Sequence, residues 1–563
     1  MTRLRHAVVL PAAVVGLLAG AVPAVSAPSA PTEPRAAYTQ QRIDWGPCEG
    51  LPESAPAVAK KLRCGEFSAP MDWDDPADGD DVTIAVSKLP ATGTARGAIL
   101  TNPGGPGGPG RLFPVRFREQ QRMRANYDII GFDPRGTGES SNITCGGATS
   151  NVDPLDPRDR SQENLDLILD TTEAAADACQ RKSGELGRFI NTYQTVRDID
   201  LLRTLLDRKK ISWIGYSAGT WLGAQYATAF PGRVEKMVFD SNIDFTANWQ
   251  KAFDWQPLGF ERRWRADFLP WLARHHDIYG YGRTAQAARV RYEKVRNALE
   301  ADPVKLDGKT IGPNEFDIQI SGAMYNKLAF PGLGEYLRAV RDLAMDRAHG
   351  QRRVAALDTL RRLRLRDDNG GPLPLAVGID GSTGAPRAQV SGFGGESANP
   401  PGGEYDDAFD ASFWTIPCNE TEWRGDRRSV VAQSDYLGKR YPLLGWGWLV
   451  QPCVFWDNDP IDLPTPTGEG VPPVLMVQST HDPATPLEGA RRAHANFAGS
   501  RMITVTNEGD HGIYAGGNGC VDNLVNAYLV DNQVPPDTLC PGTPLPEPET
   551  TPARQPERGV SFR

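Results

Sequence analysis

Short apolar, β-branched runs alternate along this chain with stretches of helical spacing. Val82-Thr-Ile-Ala-Val-Ser-Lys-Leu89, Gly97-Ala-Ile-Leu-Thr101, Tyr127-Asp-Ile-Ile-Gly-Phe-Asp133, Ile211-Ser-Trp-Ile-Gly215 and Val234-Glu-Lys-Met-Val-Phe-Asp240 have the length and composition of strands. Between Thr195 and Leu206 the apolar residues Val196, Ile199, Leu202 and Leu205 recur every three positions, which predicts a helix leading into the strand that ends at Gly215. Strands with helices between them predict a mostly parallel sheet in an α/β fold. Two more strands, Pro473-Val-Leu-Met-Val-Gln-Ser479 and Met502-Ile-Thr-Val-Thr506, come late, so the sheet is expected to be split in sequence.

The intervening stretch has a different texture. Residues 245–455 hold Trp- and Arg-rich segments, helix-like runs at Arg283–Leu299 and Leu337–Leu365, and a Gly/Pro/Ser-rich stretch at 369–403. A domain standing in tandem would leave the two late strands without a sheet. The expected plan is therefore a core formed by 41–244 and 456–540, with 245–455 inserted as a mainly helical cap. The tail, 541–563, is Pro-rich and polar and is expected to be disordered. At the other end Met1-Thr-Arg-Leu-Arg-His6 precedes an uncharged stretch to Val25, and Val25-Ser-Ala27 meets the small-x-small rule for signal cleavage. Residues 1–27 thus read as a secretory signal and 28–40 as a disordered spacer or pro-segment. No later stretch has the length and apolarity of a membrane span.

Composition narrows the function classes. Hydrophobic residues at 40% and charged residues at 23% fit a folded chain of 563 residues, and Gly 58 with Pro 47 announces many turns. Lys+Arg 61 against Asp+Glu 70 gives a net charge of −9 with no long run of one sign, so a nucleic-acid partner is not expected. The eight cysteines, Cys48, Cys64, Cys145, Cys179, Cys418, Cys453, Cys520 and Cys540, form an even set in a chain read as exported, which points to disulfides. They fall into four neighbouring couples, each closing a modest loop, and that pairing is the one expected. With no C-x-x-C and no His at ligand spacing from a Cys pair, a zinc site is not expected.

The candidate chemistry centres on Gly215-Tyr-Ser217-Ala-Gly219, a G-x-S-x-G sequence between a strand and the helix-like Thr220–Thr228. Small neighbours let the turn be tight enough to expose the Ser217 hydroxyl. A serine hydroxyl needs a base, and the base needs an orienting carboxylate. Asp482 lies in the loop after one late strand and His511 in the loop after the next, so both open on the edge that carries Ser217. Asp240 and Asp510 compete for the acid's role. His481 reads as a loop neighbour, His494 as a solvent-facing helical residue, and His275-His276 as structural. The glycine-rich Asn102-Pro-Gly-Gly-Pro-Gly-Gly-Pro-Gly110 also follows a strand, and its bare backbone can approach a bound carbonyl. Gly105 is assigned one oxyanion N–H, with Gly104 as the fallback, and Ala218 the other. The loop has neither a Gly-Lys-Ser/Thr ending nor Rossmann spacing, which argues against nucleotide binding.

Gly104-Gly-Pro-Gly107, Gly131-Phe-Asp-Pro-Arg-Gly-Thr-Gly-Glu-Ser140, Gly215-Tyr-Ser-Ala-Gly219, Asp482-Pro-Ala-Thr-Pro486 and Gly509-Asp-His-Gly512, in this order, resemble the prolyl aminopeptidase family of α/β-hydrolase serine peptidases. Within it the chain is most similar to the secreted bacterial tripeptidyl aminopeptidases, over residues 40–540. The resemblance implies an α/β-hydrolase core sheet of about eight strands under a helical cap, with removal of short units from free peptide amino termini. It implies a structural role for Asp133-Pro-Arg-Gly136 below the site. Pro103 stands where a His often precedes the paired glycines, a departure that fits the secreted branch. Family members hold the substrate ammonium with cap carboxylates, and Ile416-Pro-Cys-Asn-Glu420 resembles a cysteine-bearing stretch at the end of the cap, which makes Glu420 the candidate anchor.

These readings converge on a secreted, monomeric serine exopeptidase acting on peptides through an acyl-enzyme, with no metal or organic cofactor implied. A secreted carboxylesterase using the same Ser-Asp-His set is the alternative, separable by dependence on a free amine. Dehalogenase or epoxide-hydrolase chemistry needs an acid nucleophile and fails at Ser217. A silent binding protein on the same fold would not label at Ser217 with a fluorophosphonate.

Overall fold

The computed structural model describes residues 36–548, apart from 50, 52–55, 77–79, 346–348, 366–406, 458 and 462. The signal reading, most of the spacer, the Gly/Pro/Ser-rich stretch and the end of the tail lie outside the described residues.

Ten strands form one sheet: β1 (Gly46–Pro47), β2 (Arg63–Pro70), β3 (Asp81–Leu89), β4 (Gly97–Asn102), β5 (Tyr127–Phe132), β6 (Ile211–Tyr216), β7 (Val234–Asp240) and, after the β8 (Val304–Leu306) and β9 (Lys309–Ile311) hairpin of the insertion, β10 (Val474–Ser479), β11 (Arg501–Thr506) and β12 (Thr538–Pro541). Their order is β1-β2-β3-β5-β4-β6-β7-β10-β11-β12. The strands from β5 to β12 run parallel, while β1, β2 and β3 are joined by antiparallel pairing. Every residue of β4, β6 and β10 is buried, because helices cover both faces of a parallel sheet and leave no solvent side to alternate toward.

The resemblance implied about eight strands; the extra ones lie at the margins. β2 reads Arg-Cys-Gly-Glu-Phe-Ser-Ala-Pro and carries little apolar signal; its register with β3, from Arg63 opposite Lys88 to Pro70 opposite Asp81, creates it. β12 is a short edge strand held by the Cys520–Cys540 disulfide. The other disulfides join Cys48 to Cys64, Cys145 to Cys179 and Cys418 to Cys453, so the neighbouring couples are the bonded ones.

The chain leaves the sheet at Asp240 and returns beside it, with Val474 opposite Met237 and Val477 opposite Asp240. What lies between builds a second core from Trp264, Phe268, Trp271, Tyr292, Phe316 and Phe330. The helical run expected at Leu337–Leu365 is two helices, Phe330–Ala344 and Gly350–Leu365. The late helix Ala408–Glu420 stays outside that second core. Its Ala411, Trp414 and Ile416, like Phe245, Trp249 and Ala252 at the start of the insertion, pack into the sheet's own core with Trp221.

Both termini of the body are more ordered than expected. Ala36–Gln40, assigned to a disordered spacer, forms a helical turn whose Tyr38 hydroxyl donates to Asp81 at 2.6 Å and whose ring packs near Trp73. The first residues of the tail are also seated: Thr543 N–H donates to Glu508, and Pro546 accepts from the Trp271 indole at 2.7 Å. In each case aromatic and backbone partners far away in sequence supply the order.

Candidate active site

Ser217 stands at the junction of β6 and the helix Ala218–Ala229, with φ 54° and ψ −127°. Such a backbone is costly for a residue with a side chain and is tolerated where the surroundings hold it. A Cβ on Gly215 would lie 2.2 Å from Gly219 O and 2.4 Å from the Trp213 indole nitrogen, so the turn closes only over glycine. Ser217 N–H donates to Asp240 O at 3.0 Å, tying the elbow to the end of β7. Ser217 is half-buried while its chain neighbours are enclosed.

Asp482 and His511 meet across the loops after β10 and β11. His511 Nδ1 lies 2.9 Å from Asp482 Oδ1 and 3.1 Å from Oδ2. Asp482 is fully buried, and its Oδ1 also accepts the N–H groups of Ala484 and Thr485 at 3.1 and 2.9 Å. Those amides fix the carboxylate, and a carboxylate at Nδ1 favours the imidazole tautomer in which Nδ1 donates and Nε2 carries the lone pair. His511 N–H donates at 2.8 Å to Tyr325 O, from the insertion, and the Tyr325 ring stands edge-to-face against the imidazole at 5.3 Å.

The two competing acids have other partners. Asp240 accepts Tyr514 N–H at 2.6 Å and Ile513 N–H at 3.0 Å, and Ser241 Oγ accepts Gly512 N–H at 2.7 Å, so the end of β7 clamps the backbone just after His511. Burial pushes Asp240 up to about 6 although those amides pull it down. Asp510 faces Arg263 at 2.6 Å and Lys327 N–H at 2.7 Å. His481 Nδ1 pairs with Asp267 at 2.9 Å, His494 pairs with Ser500 at 2.8 Å and with Asp537, and His276 accepts Gly282 N–H at 2.7 Å.

Gly104 has φ +96°, and a Cβ there would lie 2.8 Å from Ser217 Cβ and 2.9 Å from Ala218 N; the loop after β4 thus lies directly against the elbow. Gly104 N–H is used by Asn102 Oδ1 at 2.9 Å, whereas Gly105 N–H has no acceptor among the described residues. Ala218 N–H, at the first turn of its helix, likewise has no acceptor among the described residues. Below the loop, Asp133 accepts Arg111 and Glu139 N–H groups, and Arg135 is buried against Asp198.

Glu420 needs a correction. It is fully buried, with Oε1 accepting Thr192 N–H at the start of the helix Thr192–Leu205 and Oε2 accepting the Trp249 indole at 2.7 Å. Its oxygens are occupied by protein donors, so the carboxylate joins helix Ala408–Glu420 to the core rather than meeting a substrate amine. Burial pushes it up to about 7. A different acidic group escaped the sequence reading. Burial raises Asp153 to about 8, with Asp410 and Glu315 adding to the rise. The Asp153 carboxylate has no cationic partner among the described residues. Asp410 follows Phe409, whose Cε2 would lie 3.2 Å from a Cβ on Gly105. No local sequence signal joins residues 153, 315 and 410; only the fold does.

A nucleophile elbow, a buried Asp–His pair and a glycine loop at the carboxyl edge of a mainly parallel sheet define a serine hydrolase of the α/β-hydrolase class. A family model described as alpha/beta hydrolase fold matches residues 97–316, and one described as TAP-like protein matches residues 441–540. The chain is 31% identical to a tripeptidyl aminopeptidase of Streptomyces lividans over 90% of this chain and 88% of that one. It is 26% identical to serine protease Hip1 of Mycobacterium tuberculosis, over 93% of this chain and 95% of that protein. It is 27% identical to carboxylesterase B of the same organism, over 93% and 96%. The chain belongs to the tripeptidyl aminopeptidase family of α/β hydrolases.

Proposed function

We propose that this chain is an exported, monomeric serine exopeptidase that releases short units, tripeptides foremost, from free peptide amino termini, with Ser217, Asp482 and His511 as its triad. His511 Nε2 takes the Ser217 proton as Oγ attacks the scissile carbonyl, and Asp482 stabilises the imidazolium through Nδ1–H. Gly105 and Ala218 N–H groups donate to the oxyanion. His511 then protonates the leaving amine, and a water deprotonated by the same imidazole hydrolyses the acyl-enzyme. Four disulfides suit export, and among the described residues no helix is long and apolar enough to cross a membrane.

The amino-terminal preference is supported by the acidic group of Asp153, Asp410 and Glu315, of which Asp410 follows the Phe409 ring that lies against Gly105. Carboxylates that raise one another's affinity for protons are stabilised by an arriving cation, and a peptide ammonium supplies one. Hydrolysis of a tripeptide p-nitroanilide with its amine free and then acetylated tests this, with Ser217→Ala to subtract background. Release confined to the free form, with KM raised in Asp153→Asn, is the expected result. Equal release from both forms refutes the exopeptidase reading while keeping the hydrolase. The likeness to carboxylesterase B favours a second reading, an esterase, which would cleave p-nitrophenyl butyrate and neither peptide.

A further inference from the structure

The Gly509-Asp-His-Gly512 motif contains two residues that the chemistry above leaves unexplained. Gly509 has no left-handed backbone to excuse it, yet a Cβ there would lie 2.1 Å from Arg263 Nη1 and 2.7 Å from its Cδ. Asp510 turns its carboxylate away from His511 and onto Arg263 Nη2 at 2.6 Å. Glycine and acid together form a seat for one guanidinium.

Arg263 comes from the insertion, at the end of the helix Gln256–Arg263, and its side chain is only 1% exposed. Its donors reach three ways. Nη2 holds Asp510, the residue before His511, whose carbonyl in turn accepts Ser479 Oγ at 2.8 Å. Nε donates at 3.2 Å to Met324 O, in the residue before Tyr325, and Tyr325 O accepts the His511 N–H. Nη1 holds Asp267, which pairs with His481, the residue before Asp482. The same helix lies on the acid's loop, since a Cβ on Gly259 would stand 2.3 Å from Pro483 O and 3.0 Å from Asp482 O. Beside this hub the buried Lys327 ammonium, from the insertion, pairs with Glu508. A planar guanidinium presents donors in fixed directions, so one side chain can set three loops at once where a lysine could not.

We propose that Arg263 is a positioning residue for the reaction: it sets the distance and angle between Asp482 and His511 by docking the insertion onto the residues that precede each of them. The inference rests on the triad assigned above. It makes this side of the insertion a fixed part of the catalytic centre rather than a lid, because lifting it would strand Arg263, Lys327, Glu508 and Asp510 without their partners.

The test compares Arg263→Met, Arg263→Lys, Asp510→Asn and the Arg263→Met/Asp510→Asn double variant by Michaelis kinetics on a free-amine tripeptide p-nitroanilide, by fluorophosphonate labelling rate at Ser217, and by melting. Misplacing a catalytic group by about 1 Å costs about 10²-fold. Arg263→Met is therefore expected to lose about that much in kcat and in labelling rate, with KM within about twofold. Arg263→Lys should recover part of the loss. Asp510→Asn should behave like Arg263→Met, and the double variant should be no worse than the poorer single one, as expected for two residues on one route. Wild-type kcat and labelling in a folded Arg263→Met, a loss carried wholly by KM, or single losses that multiply in the double variant would each overturn the proposal. Should Arg263→Met fail to fold, Arg263→Lys and Gly509→Ala decide, the latter pushing the guanidinium off its seat with the charge kept; undiminished kcat in both overturns it. Ser217→Ala separates the two levels, since turnover retained there defeats the triad assignment whatever the Arg263 variants do.

Discussion

Replacing Glu420 by Gln should change the pH dependence of stability by a calculable amount. Burial lifts the Glu420 carboxyl to about 7 from an ordinary 4.5, while Thr192 N–H and the Trp249 indole hold its two oxygens. The folded-state value lies above the unfolded one, so the native protein binds this proton more tightly. The stabilisation is fully present below pH 4.5 and is lost as pH rises through 7. Integrating the linkage from pH 5 to pH 8 gives a loss of about 2–3 kcal/mol in the wild type that Gln, which does not titrate, cannot show. The cost of turning an amide NH2 toward one of the two donors is the same at both pH values and cancels from the comparison. Urea unfolding at the two pH values, followed by tryptophan fluorescence, measures it; Trp249 touches the carboxylate and stacks on Trp221 at 4.2 Å. The difference between wild type and variant should move by about 2–3 kcal/mol in favour of the variant at pH 8. A difference that stays constant within about 0.5 kcal/mol would refute the reasoning. In the same variant KM for a free-amine tripeptide should stay within about twofold, whereas a rise of about tenfold confined to free-amine substrates would restore Glu420 as the ammonium anchor.

Two further substitutions address the loops around the nucleophile. Gly104→Ala, at φ +96° and with its Cβ driven to 2.8 Å from Ser217 Cβ, should cost about 1–3 kcal/mol in stability and about 10²-fold in kcat; a variant with wild-type turnover would show that this loop does not set the elbow. Arg135→Met removes the partner of buried Asp198, held by two contacts of 2.7 Å, and should lower unfolding stability by about 3–5 kcal/mol, whereas an unchanged urea midpoint would deny Asp133-Pro-Arg-Gly136 its structural role.

The hydrophobic pattern of the chain was enough to determine the parallel half of the sheet, because strands covered on both faces are dominated by apolar residues: β4, β6, β7, β10 and β11 all lie where the apolar runs put them. The G-x-S-x-G elbow was legible for a similar reason, since a backbone as tight as that at Ser217 admits only small neighbours at Gly215 and Gly219. Disulfide pairing among neighbouring cysteines was legible because short loops close at the least entropic cost. Side-chain partners drawn from distant segments were beyond it. Nothing local in β2 announces a strand until β3 lies beside it, and nothing in Glu420 reveals that Thr192 and Trp249 enclose it. Among Asp240, Asp482 and Asp510, only the packed structure shows which carboxylate faces the imidazole and which face backbone amides or Arg263. Sequence periodicity reports which face of an element is buried; the partner each buried polar atom finds is fixed only when elements hundreds of residues apart are packed together, and that packing decided the acidic group at Asp153 and the seat of Arg263.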